Sequence, residues 1–375
     1  LSILTFLLID SKNYMYFYKL DNFSKLLALF CIYILVTSLF AENDFHSTKK
    51  AFFYLKFFFF FITIKVCTEK KNNFFDILFK IFLPIFLIVL LDALIQVTFS
   101  VNSIGIHLSS SRVSGFFGDE WILGAFIFHL MPIAILSVLF YKNISNTTRN
   151  VYLLIIISLC IFLIYQSGER TIFFISLVYT PLITLFIFFF KKKKYLIFIL
   201  LFIIAFVAMN PLDRMFKSYT FQIAGKGKLY SDFTVYQDLY STAYKMFLDK
   251  KLFGTGVQSF RIKCEDKKFN KKKFGCSTHP HNYYFQILGE NGLVGFLIFF
   301  SIILFLIKDF ISIFIKWLKN KEDYKNLGLM IVLLNIIVSF TPIIPTGNIY
   351  SSVTGIFIFF KLAIYLGLKA RKHTS

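Results

Sequence analysis

Apolar runs long enough to cross a bilayer recur along most of this 375-residue chain, and they limit what it can fold into. A bilayer core about 30 Å thick asks for about 20 largely apolar residues per helix. Inside it every backbone N–H and C=O must find a partner, which leaves helices or a closed barrel. The runs here are continuous rather than alternating, which argues against a barrel. They fall at 1–10, 26–41, 51–67, 75–98, 121–141, 151–165, 172–190, 195–209, 284–307, 326–343 and 351–369. The expected fold is all-α: a polytopic transmembrane helical protein with membrane helices over 1–209, one long extramembrane loop over 210–283, and membrane helices again over 284–375. A mean hydropathy of +0.70 agrees. The first segment is short and follows no Met, so a twelfth helix upstream is expected, with a non-standard start as the alternative. No small-residue cleavage site follows it, so no cleavable signal peptide is expected.

A formal net charge of +21 raises the question of nucleic acid. The placement of the charges answers it. Positive charge gathers at 191–194 (KKKK), at Lys308, Lys316, Lys319, Lys321 and Lys325, and at Lys369, Arg371 and Lys372. Placing these on the cytoplasmic side satisfies the positive-inside rule, and alternation then puts 11–25, 68–74 and 142–150 on the same side. The short outer loops keep Lys49, Lys50, Arg112 and Arg170. The charge therefore reports topology, and no nucleic-acid partner is expected. The 53 phenylalanines and the many lysines fit an AT-rich coding sequence and carry no functional weight.

The long loop 210–283 lies outside in this topology. Within it, Leu239, Ala243, Met246 and Phe247 have the spacing of an amphipathic helix over 235–251, which either lies along the membrane surface, covers a site or simply packs. Gly254 and Gly256 mark a turn; without a following P-loop lysine they do not form a nucleotide loop. Cys264 and Cys276 bracket a basic stretch. In an oxidising compartment a disulfide is the leading expectation, with zinc held by Cys264, Cys276, His279 and His281, or two free thiols, as alternatives. Cys31, Cys67 and Cys160 fall in apolar segments and read as packing.

His279 and His281 sit where the long loop re-enters an apolar segment, with Pro280 between them and Asn282 placed to cap the next helix. An imidazole is the side chain best suited to take a proton near neutral pH. Arg112 and Arg170 are the arginines of the short outer loops, and arginine suits a bidentate grip on phosphate. A base and arginines at one membrane face point to chemistry on a lipid-linked phosphate. Asp92, near an outer helix end, is either a site residue or the partner of an arginine. A transporter of lipid-linked saccharide is the reading from another class, but no repeat relates the two halves.

Several of these pieces together resemble the bacterial O-antigen ligase and polymerase superfamily of membrane glycosyltransferases. They are DALIQ (92–96), RVSGFFGDEWILG (112–124), SGERT (167–171), LFGTGVQSFR (252–261), CSTHPHNYYFQILGENGLVG (276–295) and PIIPTGN (342–348). The HPHN stretch with its following E-x-G-x-x-G is the most specific, and SGER alone is weak. The resemblance implies twelve helices with both ends inside, in the bacterial cytoplasmic membrane. It also implies a glycan donor on undecaprenyl diphosphate, with the lipid A core or another lipid-linked glycan as acceptor, and no metal or cofactor. His281 matches the family's histidine and Arg170 its helix-loop arginine. Arg261 is the choice for the long-loop arginine, with Arg214 the runner-up. On that reading His281 is the base and Arg170 and Arg261 hold phosphate. Arg112 assists or pairs with Asp119, and His279 and Asn282 line the substrate. His279 orients His281 or is itself the base, and Glu290 reads as structural.

Overall fold

The computed structural model describes residues 20–41, 44–108, 112–189, 232–270, 272–342 and 344–371. The described part is helical, with eleven helices and no strand. In chain order they are α1 (Asn22–Ser38), α2 (Asp44–Lys70), α3 (Phe74–Phe99), α4 (Leu123–Phe140), α5 (Asn146–Gln166) and α6 (Arg170–Phe188). They continue with α7 (Asp232–Asp249), α8 (Phe260–Lys263), α9 (Tyr283–Lys319), α10 (Tyr324–Ser339) and α11 (Ser352–Ala370). Seven of these are long and apolar enough to span a membrane, and α1 and α10 are shorter apolar helices. Each expected segment within the described residues coincides with a helix. The segments at 1–10 and 195–209, and the lysines at 191–194, lie outside the described residues.

One boundary departs from expectation. The apolar segment was expected to end at 307, before Lys308 and Asp309, yet α9 continues through Lys319. The Asp309 carboxylate is paired with Lys369 and accepts the Tyr365 hydroxyl, so the charge that marks a helix end in the sequence is neutralised by α11.

The described residues of 1–67, 229–311 and 340–370 form one compact unit, and those of 68–228, 312–339 and 371 a second. In the first unit, aromatic side chains knit the helices: Phe23 on Phe305, Phe30 on Phe299, Tyr54 on Tyr350 and Phe57 on Phe359. Extramembrane α7 packs Leu239, Ala243 and Met246 against Phe260, Cys264 and Phe269, all buried. The spacing that predicted this helix thus serves packing over the loop that carries α8.

In the second unit, α4 is buried on most of its faces. Pro132 cannot donate to the Phe128 carbonyl one turn back, and the buried Asn335 of α10 donates to it instead at 3.0 Å. In α3, a π-helical turn at Leu78–Phe82 precedes Pro84, whose missing N–H disrupts the regular ladder there.

Candidate functional site

In the first unit the site is built on a deliberate break in α9. Gly292 has φ +67° and ψ −168°, which interrupts the helix. Any Cβ there would lie 2.4 Å from the Leu252 carbonyl oxygen, so only glycine fits. The break frees backbone groups, and each finds a partner. Leu293 and Val294 donate their N–H to the Lys251 and Leu252 carbonyls at 2.8 and 3.2 Å. The carbonyls of Gly289 and Glu290 accept from Thr255 and Gly256 at 3.2 and 2.8 Å, and that of Asn291 from the Tyr33 hydroxyl at 2.6 Å. The GTG turn is thereby pinned to the helix, where Gly254 (φ +73°) approaches the Asn291 backbone too closely for a side chain.

Pinning the turn places α8. The buried Glu290 carboxylate accepts the backbone N–H of Gln258 at 3.1 Å and of Phe260 at 3.0 Å, with Gln286 donating at 3.2 Å. This is a carboxylate capping a helix start, and it leaves little lone-pair capacity for a nucleophile's role. Arg261 follows on α8. Its charge bears on His46, His279 and Glu290, and its buried Nε has no hydrogen-bond partner.

The two histidines lie against each other, ring centres 4.0 Å apart. Their surroundings differ. His279 meets the Thr278 hydroxyl through Nδ1 at 2.9 Å and the Thr346 carbonyl through Nε2 at 3.3 Å, so both ring nitrogens are engaged. Nε2–H donates to the carbonyl and Nδ1 accepts from Thr278, which fixes the neutral tautomer. His281 stands in the left-handed region at φ +56°, held by the Thr346 N–H donating to its carbonyl at 2.8 Å. Its ring is drawn on by the Thr346 backbone and packed edge-on by Tyr236 at 5.9 Å. Burial lowers both histidines below the ordinary value. His279 falls to about 4 through burial first and the adjacent His281 second, and His281 falls through burial while the Thr346 backbone pulls it back. Both rings are therefore neutral near pH 7.

Asn282 caps α9. Its Oδ1 accepts from Tyr284 and Phe285 at 2.9 and 3.3 Å, and its Nδ2 donates to the Pro342 carbonyl at 2.8 Å. Its side chain is buried, and it fills the capping role that its place before the helix suggested. Cys264 and Cys276 are bonded to each other, Cα atoms 4.9 Å apart, which leaves no thiolate for a zinc ion at the histidines. Among the described residues no three His, Cys, Asp or Glu side chains gather as a metal site.

The second unit carries its own cationic group. Arg112 lies with its guanidinium 4.5 Å from the Trp121 ring centre, beside Arg170 and Glu169, instead of pairing with Asp119. It packs on Gly168, where a Cβ would come within 3.0 Å of its side chain. Glu169 accepts the N–H groups of Gly124 and Ala125 at the start of α4. Burial pushes this carboxyl up to about 7, against those two amides and Arg112, which hold it down. Asp92 is held by the loop that follows α3 rather than by an arginine. Its carboxylate accepts from Asn102 Nδ2 at 3.2 Å and from the Ser103 amide at 3.0 Å and hydroxyl, so it fastens the loop 100–115 and meets no arginine. Arg214 lies outside the described residues.

Sequence reasoning missed Thr346, Gln258 and Tyr236, which shape the histidines and α8 through contacts far apart in the chain. Thr346 sat within a quoted motif, but no spacing rule connects it to His281.

Together these features define a polytopic helical membrane protein whose first unit carries neutral histidines and Arg261, and whose second unit carries Arg112 and Arg170. Residues 134–300 match the O-antigen ligase family model, so this stretch is similar to membrane enzymes of O-antigen ligase type. His279, His281, Arg261 and Arg170 fall within the matched residues; Arg112, Asp92, His46 and Thr346 fall outside them. No curated protein matches the chain.

Proposed function

We propose that this protein is an inverting O-antigen ligase acting on the outer face of the bacterial cytoplasmic membrane. It moves a glycan from undecaprenyl diphosphate to a hydroxyl of the lipid A core. His281 takes the proton of the acceptor hydroxyl. The acceptor oxygen then forms its bond to the anomeric carbon as the carbon–oxygen bond to the diphosphate breaks, and the electron pair leaves with the lipid diphosphate. That anion is stable, so the reaction asks for a base and for cations near the developing charge rather than for a strong acid. Arg261 supplies such a cation beside the histidines, and Arg112 and Arg170 are assigned to phosphate in their own unit.

The observation that carries this reading is the asymmetry of the histidine pair. His279 has both nitrogens engaged by Thr278 and Thr346, whereas His281 is neutral and keeps a ring nitrogen for a proton. His279 is therefore a positioning residue. Surface polysaccharide from a deletion strain, complemented with native protein or His281→Ala, is the test. Bare lipid A core with accumulated long lipid-linked glycan marks a ligase; core capped by a single repeat unit marks a polymerase. His281→Ala, expressed at the native level, is expected to leave the deletion pattern unchanged. Full rescue overturns the base assignment and favours transport.

A further inference from the structure

The first turn of α2 adds a side chain that neither the motifs nor the matched residues include. His46 stands at the start of α2, next to Ser47, and the charges of Lys50, Arg261 and Lys49 all bear on it. Its Nε2 is buried and has no hydrogen-bond partner. Among the described residues the same holds for Ser47 Oγ, on the adjacent residue, and for Nε of Arg261, whose charge bears on His46. Ser47 is fully buried, so its hydroxyl is not a surface group awaiting bulk water. The pieces are held together by the GTG turn, since a Cβ on Gly256 would lie 2.8 Å from Ser47 Oγ. Gly256 is itself fixed to the Glu290 carbonyl.

A buried polar atom without a partner is costly, and such atoms gathered beside like charges point to a bound group. The chemistry of the set names it. Arg261 Nε can only donate, the Ser47 hydroxyl can donate, and His46 Nε2 donates in one neutral tautomer. Lys49, Lys50 and Arg261 add positive charge, and among the described side chains the carboxylate on which Arg261 bears, Glu290, is committed to the amides of Gln258 and Phe260. A water molecule would answer the hydrogen bonds and leave the charge unbalanced. A phosphate oxyanion answers both.

We propose that His46 is a further phosphate-binding residue, its Nε2–H donating beside Arg261 to the diphosphate of the lipid-linked donor. This rests on the glycosyl transfer proposed above and extends its binding group to α2. His46 grips the leaving group and takes no part in the proton transfer assigned to His281.

The full chain, purified in detergent, is titrated with farnesyl diphosphate, farnesol and phosphatidylglycerol. Native protein is expected to bind the diphosphate and not the alcohol. His46→Ala and the bulkier His46→Phe, which both lack the donor, are expected to weaken diphosphate binding about tenfold at unchanged thermal stability. His46→Gln, which returns an N–H at a similar reach, is expected to recover most of the affinity. In transfer assays the same variants raise the KM for donor and leave kcat within about threefold, whereas His281→Ala lowers kcat. Native-like binding by both His46→Ala and His46→Phe overturns the inference while leaving the His281 assignment standing. Equal binding of phosphatidylglycerol with the same His46 dependence makes the cluster a headgroup site and overturns the donor assignment. Native protein that binds no diphosphate overturns both this inference and the phosphate roles of the proposed function.

Discussion

At the scale of single residues, the fold separates side chains that look alike in the sequence. His279 and His281 are two positions apart, yet one is held at both ring nitrogens and the other is not. The difference has a thermodynamic consequence. In the unfolded chain an imidazole titrates near 6.5, whereas folded His279 is lowered to about 4. Between those values the unfolded chain binds a proton that the folded chain refuses. The contribution of His279 is therefore fully present above about 6.5 and is lost as pH falls toward 4, on the order of a few kcal/mol at most. Thermal unfolding of the detergent-solubilised protein is expected to show this acid decline, and His279→Gln is expected to flatten it. An equally steep decline in the variant would assign the proton uptake elsewhere. Type and position announced the histidines and Arg261, but not which ring is locked, because Thr346 approaches from a distant segment. His46 carried no signal at all: it sits in a polar stretch before an apolar run, and only the fold brings Arg261 toward it. The partners of Asp92 were illegible for a related reason. A carboxylate near a helix end suggests a site or an arginine, and its real partners, Asn102 and Ser103, lie in a loop whose shape no periodicity reports.

At the scale of elements, α9 shows why a helix can be legible while its most important feature is not. Thirty-seven residues at 1.5 Å rise would give a rod roughly 55 Å long, well beyond a bilayer core of about 30 Å. The apolar run announces the helix, and the break at Gly292 divides it. The sequence shows only a glycine near other glycines there, while the partners that make the break tolerable come from 251–256 and from Tyr33. Gly292→Ala places a Cβ 2.4 Å from the Leu252 oxygen and forces a left-handed φ on a residue that resists it. The turn must then detach, taking α8 and Arg261 with it. We expect a loss of about 2–4 kcal/mol, read as a lower unfolding temperature, together with loss of transfer activity. A variant as stable and active as the native protein would show that the turn and the break are not coupled. Asn335 teaches the same lesson more quietly. A buried amide in an apolar helix looks like a polar defect until Pro132 is seen to have freed the carbonyl that it answers.

At the scale of the whole molecule, charge distribution and the disulfide both bear on the proposed sidedness. On the proposed orientation, the lysines of 191–194 and 308–325 and the basic C-terminus place their ends of the helices in the cytoplasm. The loop that carries Cys264, Cys276, His279 and His281 then falls on the opposite side, where an oxidising compartment permits the bond between the cysteines. That bond closes a loop with a sequence separation of 12 and contributes on the order of 3 kcal/mol by restricting the unfolded chain. It also keeps α8 close to the histidines, since Cys264 immediately follows Lys263 at the end of that helix. Two measurements read the same topology. A reporter fused after Lys194 is expected to score cytoplasmic, and one fused after Lys273 periplasmic. In intact cells, a membrane-impermeant maleimide is expected to leave Cys276 unlabelled until a reductant is added and to label it afterwards, because this cysteine is exposed while Cys264 is buried. Labelling without reductant would mean that the pair is reduced on the outer face, and the disulfide would be discarded with the topology intact. No labelling under either condition, with the Lys273 reporter scoring cytoplasmic, would turn the molecule over. The histidines would then lie on the face opposite to the one the proposed ligase reaction requires, and that reaction would fall with the orientation.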